Sequence, residues 1–339
     1  MEHVLQSKAH KFRLILASSF ALLIFTFVFS INTGASSMSP AEVVQTFLGN
    51  GTNQQNLILY EFRLPRIVLS VLVGMGLAVS GCVLQSVSRN ALAEPGILGI
   101  NAGAGLAILF FVTLIPTGVL SAAYFVPLFA LSGALLAAVV IYVLAFKRQE
   151  GIMPTRLILT GVAIQAGINA AMIVLTLRLT PERYETVALW LAGYIGTTSW
   201  DYVLALLPWM IIILPFVYYK VNVLNLLNLG DQLAVGLGVD LEKERRLLLF
   251  AAVCLAAASV SVSGSISFVG LIAPHLARQL IGGKHQYYLP VAALLGGLLV
   301  LLGDTLGRAL LGPTEIPAGI VVAVIGAPYF LYLLARSKV

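Results

Sequence analysis

The sequence predicts an all-α polytopic membrane protein of about ten spans with both termini in the cytoplasm. Three observations predict it: a scarcity of charge, a series of apolar runs at membrane length, and a one-sided distribution of basic residues. Of 339 residues, 59% are hydrophobic and 10% are Asp, Glu, Lys or Arg, against about 25% charged in an average soluble domain. Mean hydropathy is +0.98. So few charges cannot cover the surface of a soluble protein of this size, which excludes a soluble enzyme or a nucleic-acid-binding module. The net charge of +6 reflects membrane topology, in which Lys and Arg gather in cytoplasmic loops.

A transmembrane helix needs about 20 mostly apolar residues. The first run, 14–31, follows Lys8, Lys11 and Arg13. It is too long for a signal-peptide core and no small-x-small cleavage site follows, so it reads as an uncleaved first span. Runs at 67–84, 97–115, 123–146, 157–178, 203–219, 247–263, 290–303 and 317–334 follow. Between 264 and 290 a shorter stretch carries Pro274, His275 and Arg278. Such a segment is tolerated at membrane depth only when packed against protein. Counted as a short helix, it completes ten spans in a single domain, residues 1–339.

Orientation follows from the basic residues. With the N-terminus inside, Lys8, Lys11, Arg13, Arg89, Lys147, Arg148, Arg156, Lys220, Lys243, Arg245, Arg246, Arg278, Lys284, Arg336 and Lys338 are cytoplasmic, 15 of the 20. Arg63, Arg66, Arg178, Arg183 and Arg308 stay outside. The bias supports this orientation.

The spans carry almost no fixed charge and offer mainly Gln85, Asn101, Gln165 and Asn169 as polar groups. Ion-coupled carriers use an ionisable or unwound midplane site, so the driving energy is expected from elsewhere. No G-x-x-x-x-G-K-[ST] loop is present, and a nucleotide needs one to cradle its phosphates. Cys82 and Cys254 sit in apolar runs and read as small packing residues. Gly99 with Gly103, and Gly303 with Gly307, have the spacing that lets helices approach closely.

Three constellations stand out. Arg63-Leu64-Pro65-Arg66 opens the second span, where cations oppose the helix dipole. The pair fits an acidic partner docking from outside, interfacial snorkelling, or pairing with Glu61. The cytoplasmic loop, about 220–246, alternates apolar and polar residues around Gly230, Gly236 and Gly238. It has room for two short amphipathic helices that meet a partner groove or the membrane surface. Ser259, Ser261, Ser263, Ser265 and Ser267 surround Gly264, as turn hydroxyls or as a polar pathway lining.

Two long segments resemble a known family. RLPRIVLSVLVGMGLAVSGCVLQSVSRNALAEPGILGINAGA (63–104) and SGSISFVGLIAPHLARQLIGGKHQYYLPVAALLGGLLVLLGDTLGRALLGPTEIPAGIVVAVIGAPYFLYLL (263–334) resemble the permeases of ABC importers for iron–siderophore complexes, haem and vitamin B12. LGDQLAVGLGV (229–239) resembles their cytoplasmic loop. Ala91 stands where the family more often has proline, a local departure. The resemblance implies the type II importer fold in a bacterial cell membrane. It implies a second permease subunit, two ATPase subunits that use ATP and magnesium, and an extracytoplasmic substrate-binding protein. No cofactor is expected on this chain.

Carried over by position, Arg63, Arg66 and Arg308 dock the binding protein. Gly230, Asp231, Ala234, Leu237 and Gly238 couple to the ATPase. Gln165 and Asn169, one helical turn apart, are candidates for the pathway. The expected cargo is an iron chelate, a ferric siderophore foremost. The competing expectation is an ATP-independent secondary transporter.

Overall fold

A computed structural model describes residues 2–34, 38–115, 122–147, 151–196, 198–310 and 314–336. Arg148 and Lys338, expected in the cytoplasm, lie outside the described residues. Helix α1 (Glu2–Asn32) holds the first apolar run, and α2 (Pro40–Phe47) and α3 (Asn53–Asn56) follow. A π-helical stretch, Leu57–Arg63, leads without a break into α4 (Leu64–Ser88). Pro65 has no N–H for the carbonyl of Glu61, and a widened turn accommodates the missing bond.

The 3₁₀ turn Pro95–Leu98 leads to α5 (Ile100–Leu114), α6 (Ala122–Ala145) and α7 (Pro154–Thr176). Between α6 and α7, Phe146–Lys147 pairs antiparallel with Gly151–Ile152, a minor strand pair in a helical chain. Then come α8 (Pro181–Leu191), α9 (Trp200–Tyr219), α10 (Val221–Leu227), α11 (Asp231–Gly236), α12 (Leu241–Ser263), α13 (Val269–Ile281), α14 (His285–Leu310) and α15 (Ala318–Arg336).

Every expected span is helical. Among the described residues eight helices are long and apolar enough to cross a membrane. The other two, α5 with 15 residues and α13 with 13, are about 22 and 20 Å long at 1.5 Å per residue. Both fall short of the roughly 30 Å hydrocarbon layer and must pack against protein. Helices α2, α3 and α8 were not expected, because none contains a long apolar run.

Helix α4 lies at the centre, with α9, α12, α13 and α14 around it. Its neighbours meet it backbone to backbone. A Cβ on Gly74 would lie 2.1 Å from the Gly296 carbonyl oxygen of α14, and one on Gly81 would lie 1.9 Å from that of Gly270 in α13. Helices α5 and α6 touch the same way at Gly103 and Gly133. Of the glycine pairs expected to pack, Gly303 and Gly307 meet α15 and the segment before it, whereas Gly99 caps α5 in a left-handed conformation.

Helix α13 starts against Gly81, two turns before α4 ends, so its first turn lies inside the bundle. Its exposed backbone is satisfied by side chains, as burial demands. Pro274 deprives the Gly270 carbonyl of its helical partner, and the Gln85 amide donates to that oxygen at 3.2 Å. Glu94 accepts from the Phe268 N–H at 3.0 Å and caps the helix. The serine hydroxyls of α12 are internal: Ser259, Ser261 and Ser263 donate to carbonyls of their own helix.

The close contact at Gly81 gives a direct test. Gly81→Leu should force α4 and α13 apart at a cost of about 1–3 kcal/mol or more, read as a lower Tm in detergent. Gly167→Ala on α7, where nothing lies within 4 Å, should leave Tm unchanged or raise it, since alanine is favoured over glycine inside a helix by about 0.5–1 kcal/mol. An unaltered Tm in Gly81→Leu would show that the contact is dispensable.

Candidate functional site

The three expected docking arginines come together at one end of the bundle. Arg66 donates from Nε to Asp304 Oδ1 and from Nη1 to Glu315 Oε2, both at 2.8 Å. Arg308, one helical turn beyond Asp304, donates from Nε to Asp304 Oδ2 at 3.1 Å. Its other nitrogens reach the Ser30 hydroxyl and the Thr33 carbonyl, each at 2.6 Å. Arg63 donates to the Ile31 carbonyl. The end of α1, the start of α4, the end of α14 and the segment before α15 are thereby tied together.

This arrangement corrects two sequence arguments. Because the helix is continuous from Asn53, Arg63 and Arg66 do not stand at a helix N-terminus, and the opposed-dipole argument does not apply. The partners of Arg66 are Asp304 and Glu315, not Glu61. The arginines are also buried: Arg63 is 6% exposed, and Arg66 and Arg308 are each 8% exposed. Asp304 is fully covered, while the side chain of Glu315 is 25% exposed. Tyr194 donates its hydroxyl to Glu315 at 3.4 Å. Burial and the adjacent carboxylate push the Tyr194 phenol up from its ordinary value, so it stays a donor at neutral pH. Arg66 and Arg308 share Asp304, Arg66 also holds Glu315, and the Arg63 guanidinium stands close to that of Arg308.

At the opposite end of α4 lies the expected coupling loop, folded as the two short helices α10 and α11. Asp231 accepts from Arg89 and, at 2.7 Å, from Arg245. Lys220 pairs with Glu244 at 2.7 Å. Gly230 and Gly238 bracket α11 at φ of +119° and +86°, conformations that a side chain makes costly. Leu229, Leu233, Val235 and Leu237 are exposed, whereas Ala234 is fully buried. Of the expected coupling positions, Leu237 thus faces outward and Ala234 anchors α11 from beneath.

Residues that sequence reasoning missed fasten this loop to the core. Buried His285, at the start of α14, contacts Ser86 Oγ of α4 at 2.6 Å and Asn225 Oδ1 of α10 at 2.8 Å. Its backbone N–H also donates to Asn225 Oδ1, and Asn225 Nδ2 donates to Gln286. A ring protonated at Nδ1 serves both side-chain partners, with the Ser86 hydroxyl donating to Nε2. Asp304 and Glu94 were missed as well, although the spans were expected to hold almost no charge. Each carboxylate has its own partner: two arginines for buried Asp304 and a helix end for half-buried Glu94. The candidate pathway residues lie on α7, Gln165 half-buried and Asn169 exposed in the single chain.

The model of the FecCD transport family matches residues 22–336. This chain belongs to the FecCD transport family. Among similar proteins, the iron(3+)-hydroxamate import system permease FhuG of Bacillus subtilis is 48% identical over 98% of this chain and all of its own length. The iron-uptake system permease FeuC of Bacillus subtilis is 41% identical over 94% of this chain and 96% of its own. Among solved structures, an inward-facing metal-chelate type ABC transporter matches with a TM-score of 0.83 at 32% identity, covering 95% of this chain and 99% of its own. As a member of the FecCD family, the chain is a multi-pass permease of the cell membrane, a transport subunit and not an enzyme.

Asp304 is the pivot of the arginine cluster. Asp304→Asn should leave buried Arg308 without a carboxylate and Arg66 with Glu315 alone, at a cost of about 3–5 kcal/mol, lowering Tm in detergent or abolishing expression. A Tm equal to wild type would show that the cluster does not hold this end together.

Proposed function

We propose that this chain is the permease subunit of an ABC importer for an iron chelate, a ferric siderophore foremost. The observation that carries the reading is the full-length similarity to FhuG, an iron-hydroxamate import permease. The chain's two charged ends support it, one suited to an extracytoplasmic binding protein and the other to a cytoplasmic motor. Ten spans, with both termini and α10–α11 in the cytoplasm, agree with the positive-inside bias. The partners are a second permease, two ATPase subunits that hydrolyse ATP with magnesium, and a substrate-binding protein.

Docking begins at the Arg63, Arg66 and Arg308 cluster. Since Arg66 already holds Glu315, an acidic residue of the binding protein docks by exchange: it takes the place of this partly exposed carboxylate, while buried Asp304 keeps its arginines. Charge complementarity of this kind sets orientation and on-rate more than affinity. On the inner side the exposed leucines of α11 seat in a groove of the ATPase, with Gly230 and Gly238 permitting the turn and Asp231 fixing the loop to Arg89 and Arg245. Movement of α10 passes through Asn225 and His285 to α4 and α14. Gln165 and Asn169 on α7 face the pathway between the two permeases. The carboxylates of half-buried Glu94 and buried Asp304 both serve structural contacts, so neither favours an ion-coupled carrier.

The test is uptake of a labelled ferric hydroxamate by proteoliposomes holding the assembled importer. Uptake should require both ATP on the loop side and loaded binding protein on the arginine side. Glu315→Gln should raise the apparent affinity for the binding protein, and Arg63→Glu should lower it about tenfold, as for a charge at an interface. Uptake without ATP would overturn the importer reading; unchanged affinity in both variants would overturn docking by exchange.

A further inference from the structure

At the end of the bundle that carries α10 and α11, a cavity of about 400 Å³ opens between α1, α13 and the turn into α14. Its wall includes Lys11 of α1, Arg278 of α13, Lys284, Tyr287 and the backbone of Gly282 and Gly283. Three cations from three elements converge on it, and among the described residues no Asp or Glu lines it. Several other basic side chains at this end are matched: Arg89 and Arg245 with Asp231, Lys220 with Glu244, Arg246 with Glu242. Among the described residues Lys11, Arg278 and Lys284 form no ion pair; Arg278 lies over the Tyr288 ring, 5.4 Å from its centre.

Like charges gathered around one cavity repel unless an anion sits among them. The start of α14 adds the positive end of a 26-residue helix dipole next to Lys284. Gly282, at φ +88°, and Gly283 leave open space where side chains would stand, so a ligand can approach their backbone. Ile281 at the end of α13 and Tyr287 add apolar surface to the wall, and behind it the Tyr287 ring packs against Phe12 of α1 with ring centres 5.1 Å apart.

We propose that this cavity is a phosphate-binding site, filled by the headgroup of an anionic phospholipid or by a free phosphate ion. A bound phosphate bridges α1 to α13 by joining Lys11 to Arg278, a link that no side-chain ion pair supplies. The apolar surface of Ile281 and Tyr287 favours the lipid. The cytoplasmic placement of the site rests on the orientation proposed above, but the chemistry of the cavity does not.

The test compares the full-length protein in nanodiscs of phosphatidylcholine with and without phosphatidylglycerol, using native mass spectrometry for retained lipid. Titration with inorganic phosphate in phosphatidylcholine alone supplies the second arm. Lys11→Gln/Lys284→Gln is the main variant, because both side chains are exposed and removing them leaves the fold intact; Arg278→Gln is the second. Wild type should retain phosphatidylglycerol, and the double variant should retain less, by about fivefold for each lysine lost. Phosphate binding without lipid retention, lost in the variant, would support the site with a free ion as its ligand. Equal retention and equal phosphate binding in wild type and both variants would overturn the proposal, and so would the absence of both kinds of binding. Siderophore uptake can fail without altering these readouts, so the two proposals fail separately.

Discussion

The close backbone contact of α4 with α13 and α14 is the constraint on which the rest depends. Helices in a membrane gain little from burying apolar surface against each other, so they associate through tight packing and polar contacts. Here Gly74 and Gly81 leave no room for even one methyl group. With its flank held at two levels, α4 has little freedom to slide or turn. Its ends then fall where the chemistry is: Arg66 beside Asp304 at one end, and Ser86 and Arg89 beside His285 and Asp231 at the other. One helix therefore touches both the arginine cluster and the α10–α11 loop.

Burying so much charge is unfavourable in itself, and the partners explain why it is tolerated. A buried ion pair seldom stabilises much relative to apolar packing, but breaking one is costly. The Arg66–Asp304–Arg308 group thus specifies which helix ends meet more than it strengthens the fold. Glu315 differs from Asp304 in being partly exposed. Its contact with Arg66 can be exchanged while the rest of the cluster stays assembled, which suits a surface that must bind and release. Glu94 and Gln85 do comparable work deeper in the bundle, satisfying the backbone of a helix that begins short of the membrane surface.

Most of the ten helical segments were legible in the sequence because an apolar run of membrane length satisfies its own backbone as a helix; the short α13 was legible because a proline-broken apolar stretch with His275 and Arg278 had to pack against protein. The arginine cluster was legible through the R-L-P-R and G-D-T-L-G-R motifs and their placement outside. What stayed hidden was pairing over distance. Asp304 stands four residues before Arg308, an ordinary helical spacing, yet it lies at the edge of an apolar run and passed for a boundary. Glu94 looked like part of a loop, since nothing local shows that the loop folds back to cap α13. Asn225, His285 and Ser86 are far apart in the chain and belong to no periodic pattern. Gly99 and Gly103 shared a spacing, but only Gly103 meets the backbone of a neighbouring helix, while Gly99 faces the Ile141 side chain of α6, because spacing alone does not say what a face meets.

The central claim is that this chain moves its cargo with energy delivered through α10 and α11 by a separate ATPase. The most direct measurement is mild solubilisation of the tagged protein from its native membrane, followed by mass spectrometry of what co-purifies. The account predicts an ATP-binding cassette ATPase in the complex, and its loss when Leu233 and Leu237, exposed on and just after α11, are both changed to Asp. Recovery of the chain without any ATPase, even after mild crosslinking, would contradict it.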